Sequence, residues 1–398
     1  MMNDNDPKVP GASDESAASP ADSGYRQSPE AIPPAIREAD GITAGSVPVD
    51  EVTTAAPPRA PQRSVLEAIF VGPNGIRAGW RLLIYFCLLA ALSAVVRLVA
   101  SRLFAQPQRG QSPRPGVLLL SELVAFVVAV IASLIMAQIE KEKWGDYGLP
   151  IRRAMSREFW FGCVWGFAAL AAILGILRLA GAYHIDGVEL TSGPAVKYAF
   201  LWGAMFLLVG LFEEFLLRGY LLYTLASGIW FWPAAVLTSS IFLFGHIHNP
   251  GENWYGLADV FVIGMFFCFT LWRTGDLWFA VGMHATWDWG QSYFFSVPDS
   301  GLVVPGHLLK MHMSGPAWLS GGSVGPEGSV VNLVADLLFF LLFALFYKQR
   351  RWEGMADRRR KRQTQLRGAD AWAVGTGGAS GEVPTLSPTA DDKGGAPV

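Results

Sequence analysis

Glu213 and Glu214 stand side by side in the stretch Leu211-Phe-Glu-Glu-Phe-Leu-Leu-Arg218, which is otherwise apolar. In a membrane helix a central charge costs about 2.5–3.5 kcal/mol on the mildest insertion scale, so such a group needs a partner or a wet cavity. At about 100° per residue, Glu214 and Arg218 share a helical face and can pair, whereas Glu213 points elsewhere. A second apolar stretch ends in Phe242-Leu-Phe-Gly-His246. A third carries His284 and Asp288, four residues apart on one face, where a carboxylate can fix the tautomer of an imidazole. Carboxylates and histidines of this kind suit general acid–base work. The plainer readings are an ion pair at a helix end, an interfacial histidine and a polar pair joining two helices.

The elements that must position these groups are membrane helices. Of the 398 residues, 52% are hydrophobic and only 16% charged. Soluble domains run near 25% charged, so an ordinary soluble enzyme and a wholly disordered chain are both excluded. Eight apolar segments follow one another at about 81–104, 116–138, 159–182, 197–224, 230–248, 256–273, 277–297 and 330–347. Each is close to the ~20 residues that a helix needs to cross a bilayer. Helices are expected because an open strand in lipid leaves its backbone unsatisfied. The expected fold is an all-α, polytopic bundle of about eight spans over 64–347, with disordered tails. Residues 1–63 are rich in Pro, Ala, Ser and acids, and 348–398 read as a basic and then disordered tail. Cys87, Cys163 and Cys268 show no paired spacing, so neither a disulfide framework nor a zinc ribbon is expected.

Orientation follows the lysines and arginines. The densest basic cluster, Lys348, Arg350, Arg351 and Arg358 to Arg362, follows the last span. With an even span count it puts both termini in the cytoplasm, most simply at the plasma membrane. Arg77, Arg81, Lys141, Lys143, Arg152, Arg153 and Arg157 agree, while Arg97, Arg102, Arg109 and Arg114 fall on the other side. Beside a membrane span, the basic run reads as a topology signal that touches anionic lipid rather than as a nucleic-acid patch.

Glu213-Glu214-x-x-x-Arg218, Phe242-x-x-x-His246 and His284-x-x-x-Asp288, in this order and on separate spans, resemble the three motifs of the CPBP family. These are the intramembrane endopeptidases of the CAAX-protease, bacteriocin-processing and abortive-infection group. The resemblance covers about 196–292. Phe244-x-x-x-His248 also meets the second spacing, and the Asn249-Pro250 flank favours His246. The resemblance implies peptide-bond hydrolysis in a helical bundle with its cavity toward the cytoplasm, acting on a membrane-associated peptide or protein. It implies that Glu213 activates water with His246, and that His284 with Asp288 supports the tetrahedral intermediate. Glu214 and Arg218 would be structural or would position Glu213, with Phe242 supporting His246.

Members of this family are often called metalloproteases, and Glu213, His246 and His284 would supply a zinc set of nitrogen and oxygen ligands. No His-Glu-x-x-His pair is present, and a metal-free glutamate mechanism uses the same residues. Two other classes stay open. One is a proton- or ion-coupled transporter with Glu213, His246, Asp259, His284 and Asp288 as a relay. The other is an inactive membrane scaffold or immunity protein that keeps the bundle alone.

Overall fold

A computed structural model describes Ser64 and residues 69–72, 75–103 and 114–375. The expected tail 1–63, Arg109 and the last residues of the C-terminal tail lie outside the described residues. The chain opens with a minimal antiparallel pair, β1 (Val71–Gly72) and β2 (Gly75–Ile76). Helices follow: α1 (Ala78–Leu103), α2 (Pro115–Glu140), α3 (Arg157–Leu179), α4 (Ser192–Leu216), α5 (Leu222–Ile229), α6 (Phe231–His246), α7 (Trp254–Thr274) and α8 (Trp278–Trp289). After a long connection come α9 (Val330–Phe346) and α10 (Met355–Gly375).

Local chemistry sets the ends. Pro115 occupies the first turn of α2, where its missing N–H is no loss. Asn253 caps α7 by accepting from the N–H groups of Tyr255 and Gly256, at 2.8 and 3.1 Å. Gly275 ends it at φ 83°, donating to the Leu271 carbonyl at 2.9 Å, a left-handed position that suits glycine. Between α4 and α5 the chain makes a π turn, Leu217–Leu221, broken at Gly219. A second π turn, Gly290–Phe294, prolongs α8. Such turns re-aim side chains and recur near functional groups.

Five helical stretches are long and apolar enough to cross a bilayer: α1, α2, α3, the α4–α5 unit Ser192–Ile229, and α7. The remaining apolar segments fold as shorter helices of 16 and 17 residues, α6 and α9, and as α8 with its π turn. The molecule is therefore an integral membrane protein built mostly of helix. The all-α expectation needs one correction. Tyr183–Val188 (β3) pairs antiparallel with Leu309–Met313 (β4), with a bulge between Ile185 and Gly187. Both strands leave the end of an apolar helix or lie in the long loop, where no lipid enforces helix and two extended segments satisfy each other's backbones. At the C-terminus, α10 carries the basic run and continues to Gly375, into the stretch read as tail.

Two ends of the bundle can be told apart by their contacts. At the basic end Arg81 pairs with Glu140 at 2.7 Å, joining the start of α1 to the end of α2, and also bonds Ser227 in the last turn of α5. Arg153 reaches Asp276 between α7 and α8 at 2.7 Å, and the Arg351 N–H meets the Trp272 carbonyl. The loop end holds β3 and β4 and the segment 295–329. There Tyr293 donates to the Ala195 carbonyl and Trp202 to that of Pro305.

Glycines set one close crossing. A Cβ on Gly162 of α3 would lie 2.2 Å from the Phe279 carbonyl oxygen, and one on Gly282 of α8 would lie 2.2 Å from that of Phe159. Only bare backbones approach so closely, and membrane helices use small residues for this purpose. The crossing seats α8 deep in the bundle, which buries His284 and Asp288.

Candidate active site

α4, α6, α7 and α8 enclose a cavity of about 420 Å³, with α2 and the 299–304 loop closing its sides. Glu213, His246, His284 and Asp288 all line it, brought from three separate helices. His284 is the hub. Its Nδ1 lies 3.1 Å from Glu214 Oε1, and its Nε2 faces Glu213 Oε2 at 3.6 Å and Asp288 Oδ2 at 3.5 Å. Carboxylates accept only, so the Nδ1 proton donates to Glu214, and a doubly protonated ring would satisfy both sides. The ring also stacks on Phe267, with centroids 5.4 Å apart.

Glu214 and Arg218 form the expected pair at 3.1 Å, both wholly buried. The guanidinium lies over the rings of Phe242 and Phe267, which supply aromatic faces in place of water. Because the same Glu214 oxygen receives His284, this carboxylate ties the arginine to the hub. His284 thus has carboxylates on both sides: Asp288 stands at Nε2 as the spacing suggests, and Glu214, brought by α4, makes the closer contact at Nδ1. Glu213 behaves differently. Its side chain keeps 30% of its exposure and borders the cavity.

His246 donates from Nδ1 to the Phe242 carbonyl at 2.8 Å, which leaves Nε2 as an acceptor in the neutral ring. Phe242 is buried against it, with ring centroids 4.6 Å apart. Of the two overlapping spacings, the structure puts His246 and Phe242 on the cavity; Phe244 and His248 are exposed and outside its lining. His307 and His312 also lie outside it, His312 pairing with Asp186 at 2.8 Å on the β3–β4 sheet.

Sequence reading passed over several cavity residues and named Asp259 only as part of a transporter relay. Glu327 accepts from Trp287 Nε1 at 3.2 Å and from the Ser300 N–H and hydroxyl at 3.0 and 2.9 Å. Asp259 of α7 accepts from Asn332 at 2.8 Å, and Asp336 lies one turn further along α9. Glu122, Asp299 and Ser292 complete the polar lining. A lone acid inside an apolar segment was the available signal for Glu122, Asp259 and Asp336; the loop acids gave none.

Among the described residues no group of three His, Cys, Asp or Glu side chains is gathered closely enough to hold a metal ion. The Nδ1 atoms of His284 and His246 are engaged by Glu214 and by the Phe242 carbonyl, and His284 Nε2 faces Glu213.

The cavity lies toward the loop end. Its rim is built by Leu118 near the start of α2, Asn249 after α6, and Ser300, Leu302 and Val304.

In this helical membrane bundle Glu213, His246, His284 and Asp288 converge on one cavity, with Glu214 buried behind His284. Residues 195–290 match the family model described as type II CAAX prenyl endopeptidase Rce1-like, in agreement with the CPBP resemblance. The match spans about a quarter of the chain and contains all three motifs; the family is one of membrane proteases. No curated protein matches the chain.

Proposed function

We propose that the protein is an intramembrane endopeptidase that hydrolyses membrane-associated peptides with a glutamate-activated water. The observation that carries this reading is the convergence of Glu213, His246 and His284 on one cavity from α4, α6 and α8. Water held between the Glu213 carboxylate and the His246 Nε2 gives its proton to Glu213 as its oxygen attacks the scissile carbonyl. The C–O bond forms, and the carbonyl electrons move to an oxyanion that the His284 Nε2–H stabilises, with Asp288 behind it. Glu213 then returns the proton to the amide nitrogen as the C–N bond breaks. Glu214 and Arg218 do not reach the reacting atoms; they hold His284 and position Glu213.

In this proposal all eight apolar helical segments cross the membrane, α4–α5 as one unit and α8 with its π turn, and both termini are cytoplasmic. Reporter fusions at residues 60 and 365 check the topology, and ends found on opposite sides would overturn it.

The chemistry is tested with purified protein and a fluorogenic peptide in detergent, where no ion gradient exists. Turnover is expected from the wild type and none from Glu213→Gln. The same result separates hydrolysis from a proton-coupled relay and from an inactive scaffold, because neither of these cleaves a peptide. Full cleavage by Glu213→Gln would remove Glu213 as the base.

A further inference from the structure

Glu327 comes from the connection before α9, yet its carboxylate lies on the cavity beside α8. We infer that Glu327 is a positioning residue for the reaction: it fixes the rim segment 298–302 against the face of α8 that carries His284 and Asp288, and so sets where a bound peptide lies relative to them. Its effect on turnover rests on the hydrolytic reading above; the joint itself does not.

Three donors meet this one side chain. Trp287 of α8 donates its indole N–H to Oε1 at 3.2 Å, and Ser300 donates its backbone N–H and its hydroxyl to Oε2 at 3.0 and 2.9 Å. Trp287 directly precedes Asp288 and follows His284 at the helical i,i+3 spacing, so its indole shares their side of the helix. The carboxylate therefore bridges the helix that bears the reactive groups to the loop that borders the opening. A glutamine, with one acceptor oxygen, would serve only one side of that bridge.

Ser300 needs such a hold. Its φ is 46°, in the left-handed region that a residue with a Cβ enters at a cost, and Ser296 in the same loop is at 63°. Strained backbone persists where its surroundings over-determine it, and it gathers at functional sites. Here the surroundings are specific. Gln291 and Ser292 of the π turn donate to the Pro298 carbonyl at 2.7 Å and to Asp299 at 2.9 Å, and the Gly301 N–H donates to the Val324 carbonyl at 2.9 Å. Glu327 joins all three parts: its own loop, the rim and α8. Because Asp299, Ser300 and Glu327 line the cavity, a displaced rim moves a wall of the site itself. Misplacement by about 1 Å can cost about 10²-fold in rate.

Wild-type protein is compared in detergent with Glu327→Gln and Ser300→Ala by melting curves, peptide cleavage and peptide binding. Glu327→Gln should lower kcat/KM about tenfold or more per folded molecule. In the Glu213→Gln background it should raise the Kd of the peptide several-fold. A role in stability alone would lower the melting temperature and leave both of these values in place, and that result overturns the assignment. Ser300→Ala removes one of the three donors and should lower kcat/KM about threefold. Combined with Glu327→Gln it should add nothing, since both act through one joint; additive losses overturn the joint. Should Glu327→Gln fail to fold, Ser300→Ala decides alone, and unchanged cleavage and Kd overturn the role. Wild-type protein that binds the peptide without cutting it, while Glu327→Gln raises Kd, would end the hydrolytic reading and leave the positioning role standing.

Discussion

Arg81 at the basic end and Glu213 on the cavity are both charged groups inside an apolar bundle, and they are treated in different ways. Arg81 is tied by its terminal nitrogens to Glu140 and Ser227, and Glu140 also accepts the Tyr220 hydroxyl. Around it Arg359 pairs with Glu142, and Arg362 with Glu142 and Asp146. On the cavity, acceptors stay open: Asp259 Oδ1, Asn332 Oδ1 and both Asp336 oxygens are buried without a protein hydrogen-bond partner. Leaving buried polar groups unsatisfied costs roughly 1–3 kcal/mol each, so such groups persist where they serve something other than stability. The basic end holds helices together; the cavity keeps reactive groups available.

This contrast can be broken by substitution, and the largest effect should come from the cavity histidine. His246→Ala should lower kcat by about 10²-fold or more, the range for a lost acid–base group, with little change in melting temperature. His248→Ala, on the exposed side, should leave both unchanged. Peptide cleavage and thermal melts on the two proteins decide it, and a dead His248→Ala would return the second motif to Phe244 and His248.

Glu214→Gln should affect both quantities, since its carboxylate holds Arg218 and His284 at once. Removing one member of a buried pair costs about 3–5 kcal/mol, so a clear fall in melting temperature in detergent is expected. Residual folded protein should also turn over more slowly, because His284 loses the acceptor that fixes its ring. A stable, inactive Glu214→Gln beside an unstable, active Glu213→Gln would exchange the two roles.

Gly162→Ala probes the crossing that seats α8. An added Cβ 2.2 Å from the Phe279 carbonyl must push the helices apart, and overpacking of this kind costs about 1–3 kcal/mol. Melting temperature and turnover should fall together, since His284 rides on the displaced helix. Unchanged melting would mean that α3 and α8 can separate without loss. The smallest effect is expected at the basic end. Arg359→Ala breaks partly exposed pairs worth about 1 kcal/mol or less and should leave turnover intact. A large loss of activity would show that α10 communicates with the cavity.

Much of the site could be read before any fold was known, because a charge in a membrane segment is a strong signal. The spacing of Glu214 and Arg218 determines their pairing, and the same helical period leaves Glu213 on another face. The pairing of β3 with β4 was not legible, since β3 and β4 are separated by more than a hundred residues and each is too short to announce itself. Nor was the seat of the basic run: Arg358, Arg359 and Arg362 fold onto Asp146, Glu140 and Glu142. Those acids lie at the end of α2 and in the turn after it, and gave no sign of their partners.

Composition and period by themselves determined that this chain is a membrane bundle with carboxylates and histidines on three particular apolar segments, because the bilayer core favours helices and a helix repeats every 3.6 residues. Tertiary packing alone decided that Glu214 joins Asp288 on the His284 ring, and that acids from α2, α7 and α9 join the cavity. The physical reason is that period and hydropathy act along one helix, whereas these contacts depend on which faces of different helices meet and at what depth.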